Sequence, residues 1–270
     1  MKQIRILLIV AMVVVFSTTL AAANGFENLK KAALAGDARA QNRLGMIYGK
    51  GEWVPLDYKE ARKWFMLAAE QEYVGAYYNL GVIYDQGMGV PKDHALALRW
   101  YKLAAAQGYA KAHYNLGVMH HRGEGVLPNY AQAIKWYTLA AERGLTKAQY
   151  TLGLIYSQGK LVTRDYAKAI RWYTLAADFG HDKARYRLGK IYYQGEGAPR
   201  DYAEALKWFM KAADQGNVRA QYNLGKMYSQ GEGVAKDNVM AYMWLNMAAE
   251  QGDPMARETI DSLSEIMKSE

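Results

Sequence analysis

The chain of 270 residues contains no cysteine, which excludes disulfides, thiolate metal sites, a cysteine nucleophile and lipid attachment at a cysteine. It has only 5 prolines, and no collagen-like period accompanies its 25 glycines. Long apolar runs are missing too. The longest, Ile6 to Phe16, has eleven residues, short of the ~20 that a spanning helix needs. Acid is in the minority, with 26 Asp and Glu against 34 Lys and Arg, for a net charge of +8. What remains is a hydrophobic fraction of 51%, too high for a disordered chain and ample for a sizeable core.

Residues 1–23 have the order of a secretory signal: Lys2 and Arg5, the apolar run, then Ser17-Thr18-Thr19 and Ala21-Ala22-Ala23. Cleavage is expected after Ala23, which lowers the formal charge to +6. The competing reading is an uncleaved anchor, since Leu20 to Ala23 extends the apolar stretch. An exported chain without cysteine suits a bacterial periplasm or secretion, with a large core in place of disulfides.

The rest of the chain repeats itself. Leu-Gly recurs at Leu44-Gly45, Leu80-Gly81, Leu116-Gly117, Leu152-Gly153, Leu188-Gly189 and Leu224-Gly225, always 36 residues apart. Trp64, Trp100, Trp136, Trp172, Trp208 and Trp244 keep the same step, as do the alanine pairs from Ala68-Ala69 to Ala248-Ala249. Six units of 36 residues span 37–252. Each predicts two helices. Ala40, Leu44 and Ile47 give one apolar helical face, and Gly51 ends that helix. Asp57, Asp93, Asn129, Asp165, Asp201 and Asp237 cap the second helix, with Glu60, Gln132 and Glu204 placed for capping boxes. Glycine inside a helix costs about 1 kcal/mol relative to alanine. Its retention at Gly45 and its copies implies close approach of another helix, with the Trp ring expected to fill the space between the two. Residues 24–36 match only a second helix and form an N-terminal half-repeat. Residues 253–270 carry Ala256, Ile260, Leu263 and Met267 at helical spacing, as a solenoid cap requires.

These residues resemble the Sel-one-like repeat family, relatives of the tetratricopeptide repeats. Ala220-Gln221-Tyr222-Asn223-Leu224-Gly225, Tyr228, Gly231-Glu232-Gly233-Val234 and Asp237 carry the likeness most fully, with Asp165-Tyr166, Trp172-Tyr173, Ala176-Ala177 and Gly180. The resemblance implies an all-α, right-handed superhelical solenoid of antiparallel helix pairs whose members act as adaptors or scaffolds. Trp53 and Leu161 depart from it where a second loop glycine is expected, as do Glu72 at the unit-ending glycine and His120 at a tyrosine. Trp53 and Leu161 are either plugs for their own loops or partner contacts.

Chemistry is sparse. Ser157-Gln158-Gly159-Lys160 matches a serine-x-x-lysine motif, but Gly159 ends the helix, and the companion elements of penicillin-binding enzymes are absent. A cysteine-rich branch of the resembled family includes β-lactamases; this chain lacks those cysteines. His113, His120 and His121 make a weak metal set, with a satisfied histidine the simpler reading, so neither metal nor cofactor is assigned. The Gly-x-Gly loops lack the Gly-Lys-Ser/Thr of a phosphate cradle, and the Tyr and Trp series read as core.

One stripe differs between units while its neighbours stay constant: the positions equivalent to 39, 43, 46 and 50, at i, i+4, i+7 and i+11. Its 24 residues hold eleven cations, seven amides and no Asp or Glu. The candidate partner-binding residues are Arg39, Arg43, Asn79, Lys111, Asn115, Arg122, Lys147, Lys183, Arg187, Lys190, Arg219, Asn223 and Lys226. Five of the cations fall in first turns, where the helix dipole disfavours them. By resemblance this stripe lines a concave surface that holds peptides.

The sequence thus predicts an exported, non-enzymatic scaffold that takes an acidic protein or peptide partner rather than nucleic acid, with no membrane span after signal cleavage. The alternative is a binder or hydrolase of cell-wall fragments or β-lactams. Intact mass of the exported protein is expected to match a chain starting at Asn24; recovery of the full-length mass from a membrane fraction would establish the anchor instead.

Overall fold

The computed structural model describes residues 25–269, so the segment 1–23, read from the sequence as a secretory signal, lies outside the described residues. The described residues form fourteen helices and no strand. A helix at 25–34, α1, precedes six pairs. The first helices of the pairs are α2 (Ala38–Lys50), α4 (Val74–Gln86), α6 (Ala110–Arg122), α8 (Thr146–Gln158), α10 (Asp182–Gln194) and α12 (Val218–Gln230). The second helices are α3 (Tyr58–Glu70), α5 (His94–Ala106), α7 (Tyr130–Glu142), α9 (Tyr166–Asp178), α11 (Tyr202–Ala213) and α13 (Asn238–Glu250), and α14 (Pro254–Ser269) closes the chain. Two compact units divide between Trp136 and Tyr137, within α7.

Local chemistry sets the helix ends. Asp57 Oδ1 accepts from the Lys59 and Glu60 amides, Asp93 from Leu96, Asp165 from Lys168, Asp201 from Glu204 and Asp237 from Met240. The capping boxes close only on that side. The Glu60 and Glu204 carboxylates turn instead to Lys63 and Lys207, at 3.4 and 3.2 Å. First helices end at glycines in the left-handed region, such as Gly51 at φ 68°. Trp53 and Glu72, which replace glycines of the repeat, also hold positive φ, at 64° and 58°. These are strained positions for residues with a Cβ. Trp53 is 59% exposed and leans edge-on against Phe26, with centroids 6.3 Å apart. Leu161 is half-buried, and its backbone has no positive φ, so this loop takes another path.

In the first unit α2 packs on α3, α3 on α4, α4 on α5 and α5 on α6. Trp64 clusters with Ala33, Ala40 and Leu44, which seats the N-terminal half-repeat at 25–34 on the first pair. In the second unit α8 to α14 pack in the same sequential order. Its end is sealed by Ala256 and Leu263 of α14, buried against Ala241, Leu245 and Ala248.

The interior glycines mark the tightest contacts. A Cβ on Gly189 would lie 2.5 Å from the Phe209 ring, and on Gly153 equally close to Tyr173. The ring against the glycine is therefore the residue after the tryptophan, which corrects the expectation that Trp fills this gap. Trp208 instead clusters with Ala169 and Tyr173 of α9 and with Leu188 and Ile191 of α10, joining its own pair to the one before. Trp244 does the same with Phe209 and Leu224.

Trp208 is 6% exposed, and its indole Nε1 is buried without a hydrogen-bond partner. Trp208→Ala should destabilise by ~3–5 kcal/mol, as large-to-small core changes do. Trp208→Phe should cost clearly less, because no hydrogen bond is lost. Urea midpoints for both variants check this; equal losses would mean that the indole nitrogen contributes.

Candidate functional site

In the first unit, Arg39 and Arg43 on α2 and Lys111 and Arg122 on α6 are exposed, while Asn79 and Asn115 are half-buried. Two of the unit's stripe cations meet loop acids: Lys50 lies 3.2 Å from Glu52, and Arg122 3.6 Å from Glu124. Asn79 Nδ2 donates to Asn42 Oδ1 at 2.9 Å, so part of its amide is already used. Beside it, a cavity of about 190 Å³ is lined mainly by apolar groups, among them Met46, Val82, Ile83 and Met88. Charge in this unit is spread out and partly neutralised.

The second unit concentrates it. Lys183 and Arg187 stand one turn apart on α10, and Arg219 occupies the first turn of α12. With Tyr150, Tyr186, Asn217 and Val218 they line a cavity of about 380 Å³. No carboxylate lines it. Asp182, adjacent in sequence, accepts from Asn217 Nδ2 at 3.2 Å. Among the described residues, none of Lys183, Arg187 and Arg219 forms an ion pair. Lys183 and Arg219 also sit at the positive end of their helix dipoles, which adds to the positive potential of the cavity. The Arg187 charge acts on a partly buried polar pair in which Ser157 Oγ and Tyr173 Oη lie 2.9 Å apart. Burial pushes the Tyr173 hydroxyl up to about 12, against the Ser157 hydrogen bond and the Arg187 charge.

The structure therefore gathers three of the thirteen stripe residues around one cavity. Lys147, Lys190, Asn223 and Lys226 are in the same unit but do not line it, and Asn223 Nδ2 donates to its own helix at Arg219 O. Tyr150, Tyr186 and Asn217 complete the lining and were not expected there. The tyrosines hold a repeat position that is tyrosine in every unit but the first, where it is Asn42, so variation between units gives little hint of a binding role. Both rings are half-buried, packing on Tyr173 and Phe209 while one edge stays open. Asn217 is half-buried with both ends of its amide engaged, to Asp182 and to the Ala220 amide, and its N-cap role gave no sequence signal for a place in the lining.

Other motifs stay apart. Ser157 Oγ also contacts Leu154 O at 3.2 Å, while Lys160 lies in the loop beyond Gly159. His113 is buried beside Trp136 with Nδ1 3.0 Å from Tyr109 O, and His121 stands edge-on to Tyr130. Burial first, then the Lys102 charge, lower the His120 pKa. The three do not form a metal-ligating group among the described residues.

The Sel1 repeat model matches six times, at residues 38–73, 74–109, 110–145, 146–181, 182–217 and 218–253. The crystal structure of c5321, described as a protective antigen of uropathogenic Escherichia coli with an SLR fold, is similar over 87% of this chain at 41% identity and TM-score 0.82. The chain spans 50% of that protein's length. A Sel1 repeat protein from Oxalobacter formigenes is similar at 36% identity and TM-score 0.75, over 87% of this chain and 68% of the other. Among curated proteins none matches.

His181 caps α10 through Nδ1, which accepts from the Ala184 amide at 3.3 Å, and its ring stacks on Tyr150 at 4.4 Å. A proton on Nδ1 would abolish that bond. Burial lowers the His181 pKa, with Lys183 adding to the effect and Asp182 opposing it. The unfolded chain then takes up the proton first, so this contribution to stability is complete above about pH 6.5 and declines as pH falls toward the folded-state value. His181→Asn reproduces the cap that Asn217 makes to Ala220. Denaturation midpoints between pH 8 and 5 should fall less in this variant than in the parent; parallel curves would refute the assignment.

Proposed function

The chain belongs to the Sel1 repeat family, and from that premise we propose an exported, non-enzymatic scaffold that holds an acidic protein or peptide segment against the first helices of the second unit. Sel1 repeat proteins generally act as protein–protein interaction scaffolds. The observation that carries the finer reading is the cavity with three unpaired cations and no lining carboxylate. Lys and Arg heads hold carboxylates with charge-assisted hydrogen bonds, and Arg does so with two parallel donors. Tyr150 and Tyr186 offer a hydroxyl and an apolar ring side by side, which suits a peptide that carries both acid and apolar groups. The remaining stripe cations of the unit, Lys190 and Lys226, lie farther along the same helices and would extend contact along an acidic segment.

Export rests on the basic, apolar and small-residue order of 1–23. No helix among the described residues is long and apolar enough to cross a membrane.

Fluorescence anisotropy with a labelled glutamate-rich peptide tests the site. The parent should bind, and Lys183→Glu with Arg187→Glu should weaken binding by at least about tenfold with the helical spectrum unchanged. Affinity should also fall between low and high salt, since exposed charges are screened over ~8 Å at physiological ionic strength. Equal binding by parent and double variant would refute this face as the site.

A further inference from the structure

The geometry points to a divalent transition-metal site in the first unit, formed by Asp85, His94 and Glu124. Asp85 lies in the last turn of α4, His94 begins α5, and Glu124 follows Gly123 after α6. The three offer ligand atoms that all lie within 4.8 Å of one another. His94 Nδ1 is 2.9 Å from Asp85 Oδ1. All three side chains are partly shielded, at 29% exposure for His94, 25% for Asp85 and 31% for Glu124.

The convergence belongs to the repeat, and the chemistry belongs to this copy of it. In the second unit the equivalent positions are Tyr193, Tyr202 and Glu232, where Tyr193 Oη donates to Glu232 at 2.7 Å and packs edge-on against Tyr202. Tyr166 at the His94 position likewise donates to Glu196, which corresponds to Glu124, at 3.0 Å. The same positions therefore meet where a neutral phenol hydrogen-bonds a single carboxylate, a far poorer donor set for a divalent ion. The other copies read Gly49, Tyr58, Met88 and His121, Tyr130, Lys160, and the last repeat has Ser229 and Asn238, followed by α14 in place of a further loop. Only around Asp85 do all three carry metal-donor groups.

The frame is stiff. A Cβ on Gly125, whose φ is +69°, would lie 2.5 Å from the His94 carbonyl oxygen, so the Glu124 loop is held against the start of α5. Tyr101 Oη donates to Asp85 Oδ2 at 3.5 Å, an outer-shell contact of the kind that orients a ligating carboxylate. Two carboxylates converge, and Arg122, 3.6 Å from Glu124, offsets one of them. An imidazole with two carboxylates is a nitrogen–oxygen set suited to Zn²⁺ or a neighbouring first-row ion, with water completing the shell. Bonds of about 2.1 Å at tetrahedral angles put donors about 3.4 Å apart, within reach of small rotamer changes.

Calorimetric titration of the tag-free full chain with Zn²⁺ decides this. The parent should bind one ion and gain thermal stability from it. His94→Tyr restores the residue of four other repeats, and Asp85→Ser that of two; each should weaken binding at least about tenfold and remove the thermal shift. His120→Tyr should bind as the parent does. The absence of saturable binding by the parent, undiminished affinity in both site variants, or loss of binding in His120→Tyr would each overturn the site. If His94→Tyr fails to give a helical spectrum, Asp85→Ser decides alone.

Discussion

Everything in this molecule depends on one contact, a helical glycine lying under the side chain that faces it from the partner helix. Gly45 meets Phe65, Gly81 Tyr101, Gly153 Tyr173, Gly189 Phe209 and Gly225 Leu245. Each glycine costs about 1 kcal/mol of helix propensity, yet any Cβ there would overlap a ring or a leucine. The contact sets the spacing of each pair. The tryptophan one residue earlier then faces the opposite way, onto the preceding pair, so two consecutive residues fix the geometry within a repeat and between repeats. Burying Trp208 and Phe209 almost completely, at 6% and 1% exposure, makes those contacts substantial.

A frame this regular frees other positions to differ. Every first helix presents the same stripe, and the loops at Gly89, Gly125, Gly197 and Gly233 each return to the start of the preceding second helix. Functional character therefore arises by substitution at equivalent places. On α10 and α12 three cations gather around two tyrosines; near α5 a histidine stands where four other repeats have tyrosine, and an aspartate stands at a position that is serine, glycine, histidine or tyrosine elsewhere. Like charges held together without counterions oppose folding slightly, and a bound anion removes that opposition.

The fold was legible because its signals are periodic. Leu-Gly pairs, caps such as Asp201 and loop glycines such as Gly195 each appear in the structure where the spacing places them. The direction of the Trp ring was not legible, since residues 208 and 209 are both apolar and adjacent, and periodicity does not say which faces the glycine. The stripe was found from its variation, but Tyr150 and Tyr186 were hidden by recurring in five of six repeats: one face of each ring serves the core while an edge lines the cavity. The Asp85, His94 and Glu124 group was out of reach for a different reason. Its members are 9 and 30 residues apart, and only the return of the Glu124 loop onto α5 brings them together.

The central claim is that the basic, tyrosine-lined cavity of the second unit is where an acidic segment is held. Arginine side-chain Nε–Hε signals in a two-dimensional ¹H–¹⁵N spectrum report on that directly during titration with a glutamate-rich peptide. Saturable shifts at Arg187 and Arg219, with the Asn217 amide following and Arg39 and Arg43 still, are the predicted result. Shifts spread evenly over arginines of both units, or none at Arg187 and Arg219, would contradict it.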